Sequence, residues 1–192
     1  MSGSAGRLQP PANDPPLVST GGQHSQAWNA YFQDVADELV GLREQVSDAG
    51  RGVTDGSDAA AGQVGEYLTA SRASSSPLPL IAGALANVTS LDLTPGDWDV
   101  WGSVGFLPAG TTVVRSLQAW VNTASATQPA DGLLSVLQFS ATGAAAGGAQ
   151  ILVAPQRRMS LGAAGTAYLG TVTSFTTAAM SAYGIIAARR VR

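Results

Sequence analysis

Along this chain the hydrophobic positions change period. Trp28, Phe32, Val35, Leu39, Leu42 and Val46 follow one another at intervals of 4, 3, 4, 3 and 4 residues, the spacing of a single stripe on a helix. From about residue 87 onward the apolar residues alternate instead, the period of strands with one buried face. The helical pattern predicts an amphipathic helix over residues 25–50, with Ser25 as N-cap and Gly50 and Gly52 turning the chain at its end. A stripe this narrow over three heptads does not hold a helix in water alone. It predicts a coiled-coil seam formed by Val35, Leu39, Leu42 and Val46. Bulky Trp28 and Phe32 fit a three-stranded core better than a tight dimer, and the competing reading is a helix packed on its own chain.

The β pattern falls into segments near 86–93, 97–107, 112–123, 133–142, 149–154, 157–161, 166–176 and 180–191, separated by turn residues. Eight short strands at this spacing predict a mainly β head over residues 78–192, an antiparallel β-sandwich or jelly roll. Within it Trp98, Val100, Val104 and Phe106 share one face and are the expected core, opposite Asp97, Asp99, Trp101 and Ser103. The last strand is apolar on both faces (Tyr183, Ile185 and Ala187 against Ile186 and Ala188), which predicts a central or interface strand. Residues 51–77 are rich in Gly, Ala and Ser and read as a neck or linker, with room for a short helix over Gln63–Ala73. Residues 1–24, with Pro10–Pro11 and Pro15–Pro16, form an extended arm that cannot be helical. Leu17 and Val18 are its candidate anchors.

Composition narrows the chemistry. Only 12% of the 192 residues are charged, 23 are glycine, and all ten basic residues are arginine. The surface is therefore built largely from small neutral side chains, which suits permanent subunit contacts. Residues 1–76 carry nine acids and four arginines, and residues 77–192 four acids and six arginines. No dense basic run marks a nucleic-acid binder; the one cluster, Arg189, Arg190 and Arg192, reads as a strand end pairing with a neighbour or with solvent. No stretch reaches the about 18 apolar residues of a membrane span or forms the core of a signal peptide.

A search for catalytic groups ends early. The chain has no cysteine and one histidine, His24 in the arm, which excludes Ser-His-Asp, Cys-His and His-rich metal sites. No enzyme activity, cofactor or metal is expected. Asp97 and Asp99 point the same way from one strand, as paired carboxylates of a glycosidase would, but read better as two acids on a solvent face. The Gly-rich stretch 143–148 lacks the Lys-Ser/Thr ending of a phosphate loop and reads as a hairpin loop. Trp101 and Trp120 alternate opposite to the expected core. Exposed tryptophans fill subunit contacts or stack on sugar rings, and the subunit contact is the preferred reading of both.

The strings LTPGDWDVWGSVGF (93–106), TAYLGTVTSFT (166–176) and AYGIIAARRVR (182–192) resemble the C-terminal β-domain of fibre-like structural proteins of tailed bacteriophages. Gly96, Asp97, Trp98, Asp99, Val100, Tyr183, Gly184, Ile186, Ala188, Arg189 and Arg190 carry the match. Residues 10–39 are similar to the N-terminal anchors of phage virion proteins, where Pro-rich text precedes an aromatic helix. The resemblance implies a virion component assembled in the host cytoplasm, probing a host-surface glycan or serving as a decoration. It also implies an oligomer anchored by its N-terminus; with the heptad stripe, the expectation is a homotrimer fixed to capsid, portal or tail through the arm and through Trp28 and Phe32, and charge and hydropathy add no nucleic-acid binding and no membrane insertion. An extended repeat shaft is absent, so a short head or tail fibre fits better than a long one.

The seam assignment makes one prediction. Leu39→Asp sets an unpaired carboxylate in the helix contact, at a cost of several kcal/mol, and is expected to convert the assembly to monomer while the head stays folded. Light scattering together with circular dichroism checks this; an unchanged mass refutes the coiled coil.

Overall fold

The computed structural model describes residue 10 and residues 26–49, 57–139, 144–145 and 148–192. The chain divides into two units, Met1–Arg51 and Gly52–Arg192. In the first, helix α1 runs Gln26–Ala49, about 36 Å at 1.5 Å per residue. Trp28, Tyr31 and Phe32 gather at its start, with ring centroids 5.5–5.8 Å apart. Further along the stripe Val35 is half-buried, while Leu39 and Leu42 are 60% and 52% exposed in the single chain. Leu17, Val18 and the capping Ser25 lie outside the described residues, as does the side chain of Val46.

Among the described residues the second unit has ten strands: β1 (Tyr67–Arg72), β2 (Leu78–Leu80), β3 (Ala86–Leu93), β4 (Gly96–Pro108), β5 (Val113–Asn122), β6 (Ser135–Gln138), β7 (Ala144–Ala145), β8 (Gln150–Leu161), β9 (Gly165–Thr176) and β10 (Met180–Arg190). All pairings are antiparallel. β1 and β2 lie one after the other along the same side of β10, and β6 and β7 do the same along β5. Counted as continuous edges, these give eight strand positions. Their order is 1-8-3-6 in one sheet and 2-7-4-5 in the other, the two interleaved Greek keys of a jelly roll. β10 is central in its sheet, between β1/β2 and β4.

The core is where alternation places it. Trp98, Val100, Val104 and Phe106 of β4 are fully buried, and Leu117, Leu169 and Ile186 join them from β5, β9 and β10. Two segments depart from the sequence reading. Tyr67–Arg72 is not helix or linker but an edge strand of the head, in register with β10 from Tyr67↔Arg189 to Arg72↔Gly184. Its alternate inward residues, Leu68 and Ala70, pack on the core; they are too few and too small to stand out in a Gly/Ala/Ser-rich stretch. The segments 149–154 and 157–161 are one strand, β8. The ladder passes from Val100↔Arg157 to Gly102↔Ala154, so Pro155 and Gln156 bulge opposite Trp101, where a residue without an N–H costs the ladder nothing.

One end of the sandwich is closed by a buried ion pair. Arg190 and Glu66 are 4% and 5% exposed, and Arg190 Nε donates to Glu66 Oε2 at 2.9 Å. The other guanidinium nitrogens donate to the Pro95 carbonyl at 2.7 Å and to the Thr94 hydroxyl, and the guanidinium carbon lies 4.3 Å from the Trp98 ring centroid. Trp98 Nε1 donates to the Thr94 carbonyl, and the Gly62 N–H to Glu66 Oε2. Gly96, at φ +141°, completes the arrangement: a Cβ there would collide with the Arg190 guanidinium. The terminal arginines are thus not one cluster. Arg190 points inward, while Arg189 points out.

Removing one partner of such a pair leaves an uncompensated buried charge. Arg190→Ala is expected to cost about 3–5 kcal/mol, read as a lower urea midpoint. Arg190→Met combined with Glu66→Leu should recover most of that loss, and a single variant as stable as wild type would contradict the burial.

Candidate functional site

The outer face of the sheet β1/β2–β10–β4–β8 is assembled from rows of residues in register. One row reads Tyr67, Arg189, Asp99, Arg158, and the next Thr69, Ala187, Trp101. Directly opposed residues project to the same side of a sheet, so Trp101 stands beside Tyr67 and Arg189. The Trp101 and Tyr67 rings are 6.1 Å apart at 35°. A cleft of about 440 Å³ opens over them, lined also by Arg189, Asp58, Ala59 and Gly65. Trp101 is half-buried and Tyr67 exposed.

The charges around the cleft are unequally matched. Asp99, directly across from Arg189, accepts from Arg158 Nε at 2.7 Å. Asp97 pairs with Arg192 at 3.0 Å. The two acids of β4 are therefore each held by an arginine rather than forming a carboxylate pair. Among the described residues neither Arg189 nor Asp58 has an ion-pair partner. No group of three or more His, Cys, Asp or Glu that could hold a metal occurs among them, and no described helix is long and apolar enough to cross a membrane.

Further along the same face a second groove of about 360 Å³ runs between Tyr183 and Ile185 of β10 and Ile151 of β8, floored by Ser103 and Gly105 of β4. Ser71, Arg72 and Ser74 add polar groups to its lining, while the β8 side is apolar and open: Ile151 is 67% exposed, and the adjacent Val153 62%.

Trp120 corrects the sequence reading. It does lie on the outer face of its own sheet, opposite Leu117, Ala119 and Val121, yet it is 1% exposed. Its indole lies against Gly170 of the paired strand β9, where a Cβ would sit 2.3 Å from Nε1. The loop after β5 is tied back across it, with Gln128 donating to Gln118 and Asn122 to the Thr127 carbonyl. Those two anchors flank Trp120 on the same face, so it is a structural residue and not a surface contact.

The eight helix and arm positions belong to the first unit. Trp28 and Phe32 meet on α1, Val35, Leu39 and Leu42 continue along it, and Leu17, Val18 and the Val46 side chain are outside the described residues. Sequence reasoning missed Tyr67 and Arg189 as companions of Trp101. The signal was the alternation of Tyr67, Thr69 and Ser71 against Leu68 and Ala70, which marks an edge strand.

No protein-family model matches the chain, and no curated protein matches it. Among solved structures it is similar to the VP2 protein of infectious bursal disease virus. A mutant VP2 in derived T=1 particles aligns with a TM-score of 0.40 at 13% identity over 73% of this chain and 36% of that one. The VP2 subviral particle aligns with a TM-score of 0.41 at 11% identity over 73% and 37%. The chain thus spans a little over a third of the length of these proteins.

The Ser160 hydroxyl, which donates to the Asp97 carboxylate, does most to hold that carboxyl below its ordinary value of 3.8; Arg192 and Arg158 act in the same direction, against partial burial. A depressed carboxyl stabilises the fold above its unfolded value and loses that contribution as the pH falls through the folded one. Stability is expected to fall on acidification below about pH 4, and Asp97→Asn to flatten that acid limb. Urea midpoints between about pH 6 and pH 2 measure this, and identical acid limbs would refute the assignment.

Proposed function

We propose that this chain is a non-enzymatic structural component of a bacteriophage virion, a short head or tail fibre or spike. Its N-terminal arm anchors it to capsid, portal or tail, α1 joins three copies, and the jelly-roll head projects toward the host surface. The observation that carries this reading is the apolar stripe of α1, left open along Leu39 and Leu42 in a single chain and followed in sequence by a head rich in small neutral residues. Exposed leucines at heptad spacing are stabilised by burial against copies of the same helix. The phage-like strings at 93–106 and 182–192 support the virion assignment. They include Trp98 and Arg190 of the buried clamp, so the resemblance falls on residues that hold the head together.

Three heads facing a repetitive cell surface convert weak contacts into firm attachment through effective concentration. The Trp101–Tyr67 cleft is the candidate contact. One observation favours a second reading, a decoration or connector protein without receptor: Ile151 and Val153 form an open apolar wall that a neighbouring virion protein would cover.

Virions assembled without this protein are expected to adsorb to host cells more slowly by about tenfold or more, the scale avidity confers. Normal adsorption by particles that have become less stable to heat would overturn the attachment role in favour of the connector.

A further inference from the structure

We infer that the cleft over Trp101 and Tyr67 is a binding site for a carboxylate-bearing sugar, a uronic or similar acidic pyranose. The inference rests on the reading that this face of the head meets the cell surface, and it adds the ligand class. Three features of the cleft converge on it. The floor is aromatic: Trp101 and Tyr67 lie side by side, tilted 35°, a surface that takes the C–H face of a pyranose ring. One wall carries Arg189, whose neighbour across the ladder, Asp99, is already held by Arg158 at 2.7 Å. Arg189 thus has a planar fork of donors with no ion-pair partner among the described residues, matched to a carboxylate. The lining also includes the exposed Asp58, an acceptor for sugar hydroxyls.

The combination discriminates between ligand classes. A neutral sugar would use the aromatic floor and Asp58 but leave Arg189 without an anion. A flat apolar protein surface would cover the rings and strip water from both Arg189 and Asp58 without replacing their hydrogen bonds, which is costly. An acidic pyranose supplies an apolar face, a carboxylate and hydroxyls within one ring. The volume of about 440 Å³ lies within the usual range for small-molecule sites, roughly 300–1,000 Å³. Arg190 fixes the backbone beneath: its N–H donates to the Glu66 carbonyl, and its own carbonyl accepts from the Gly65 N–H. Tyr67 and Arg189, next in sequence to that pair, are thereby held in place.

The test is calorimetric titration of the purified full-length protein with galacturonate, glucuronate and sialic acid oligosaccharides, each beside its neutral counterpart lacking the carboxylate. At least one acidic sugar is expected to bind about tenfold or more tightly than its neutral partner, the worth of one charge-assisted contact. Arg189→Gln should abolish that preference while leaving residual binding, and Trp101→Ala should weaken both sugars, with unchanged thermal unfolding of each variant as the control for folding. No binding by any acidic sugar, equal binding of acidic and neutral sugars, or binding indifferent to Arg189→Gln would overturn the inference. So would a change in solution mass in Trp101→Ala, which would make the cleft a subunit contact. Titration reads the cleft alone and adsorption reads the role of the protein in the virion, so failure of one is distinguishable from failure of the other.

Discussion

The head depends on the buried pairing of Arg190 with Glu66 above the Trp98 ring. An ion pair out of water is not in itself a source of stability, because desolvating both charges offsets their attraction. What makes this one tolerable is the number of hydrogen bonds around it: the guanidinium reaches Glu66, Pro95 and Thr94, and the carboxylate also receives the Gly62 N–H. The consequence is topological. Glu66 stands at the threshold of the first strand, Thr94 and Pro95 form the turn that carries the chain from one sheet to the other, and Arg190 ends the last strand. A jelly roll must bring its first and last strands together as neighbours, and here that meeting is fixed by charges which find full partners in one register only. The Asp97 and Arg192 backbones extend the closure, with Asp97 N–H donating to the Arg192 carbonyl and Val191 N–H to the Asp97 carbonyl.

Closing the sandwich at that end also defines its outer surface. The two sheets treat their outward faces differently. On the β3–β9–β5–β6 sheet, the loop after β5 folds back over Trp120 and covers it. On the other sheet, the rows through Trp101, Ile185, Ile151 and Val153 stay open. A chain that covers one aromatic outer face and leaves the other uncovered has an asymmetry suited to recognition or assembly. Together with the open stripe on α1, this gives the chain two surfaces of different character. One is a narrow aliphatic stripe, and the other combines aromatic, apolar and charged groups.

Much of this was legible in the sequence, and what was not has identifiable causes. The β4 core was readable because Trp98, Val100, Val104 and Phe106 alternate with polar residues over a long strand, and α1 because its period is sustained from Trp28 to Leu42. Alternation also put Trp120 on an outer face correctly, but period says nothing about whether a loop returns to cover that face. β1 was hidden because an edge strand needs few large residues, and Pro155 divided β8 because a bulge and a turn look alike in one dimension. The clamp was out of reach for a different reason. Glu66 and Arg190 are 124 residues apart, and neither has a local pattern that marks it as buried. Arg189 and Arg190 looked like one basic cluster until the strand turned them to opposite faces.

The central claim is that the open stripe of α1 is a seam between copies of this chain in a head-bearing virion appendage. Analytical ultracentrifugation of the full-length protein over a range of concentrations tests it most directly. A single species of three times the 19.4 kDa chain mass, persisting on dilution, is the predicted result. A chain that sediments as a 19.4 kDa monomer at every concentration would contradict it.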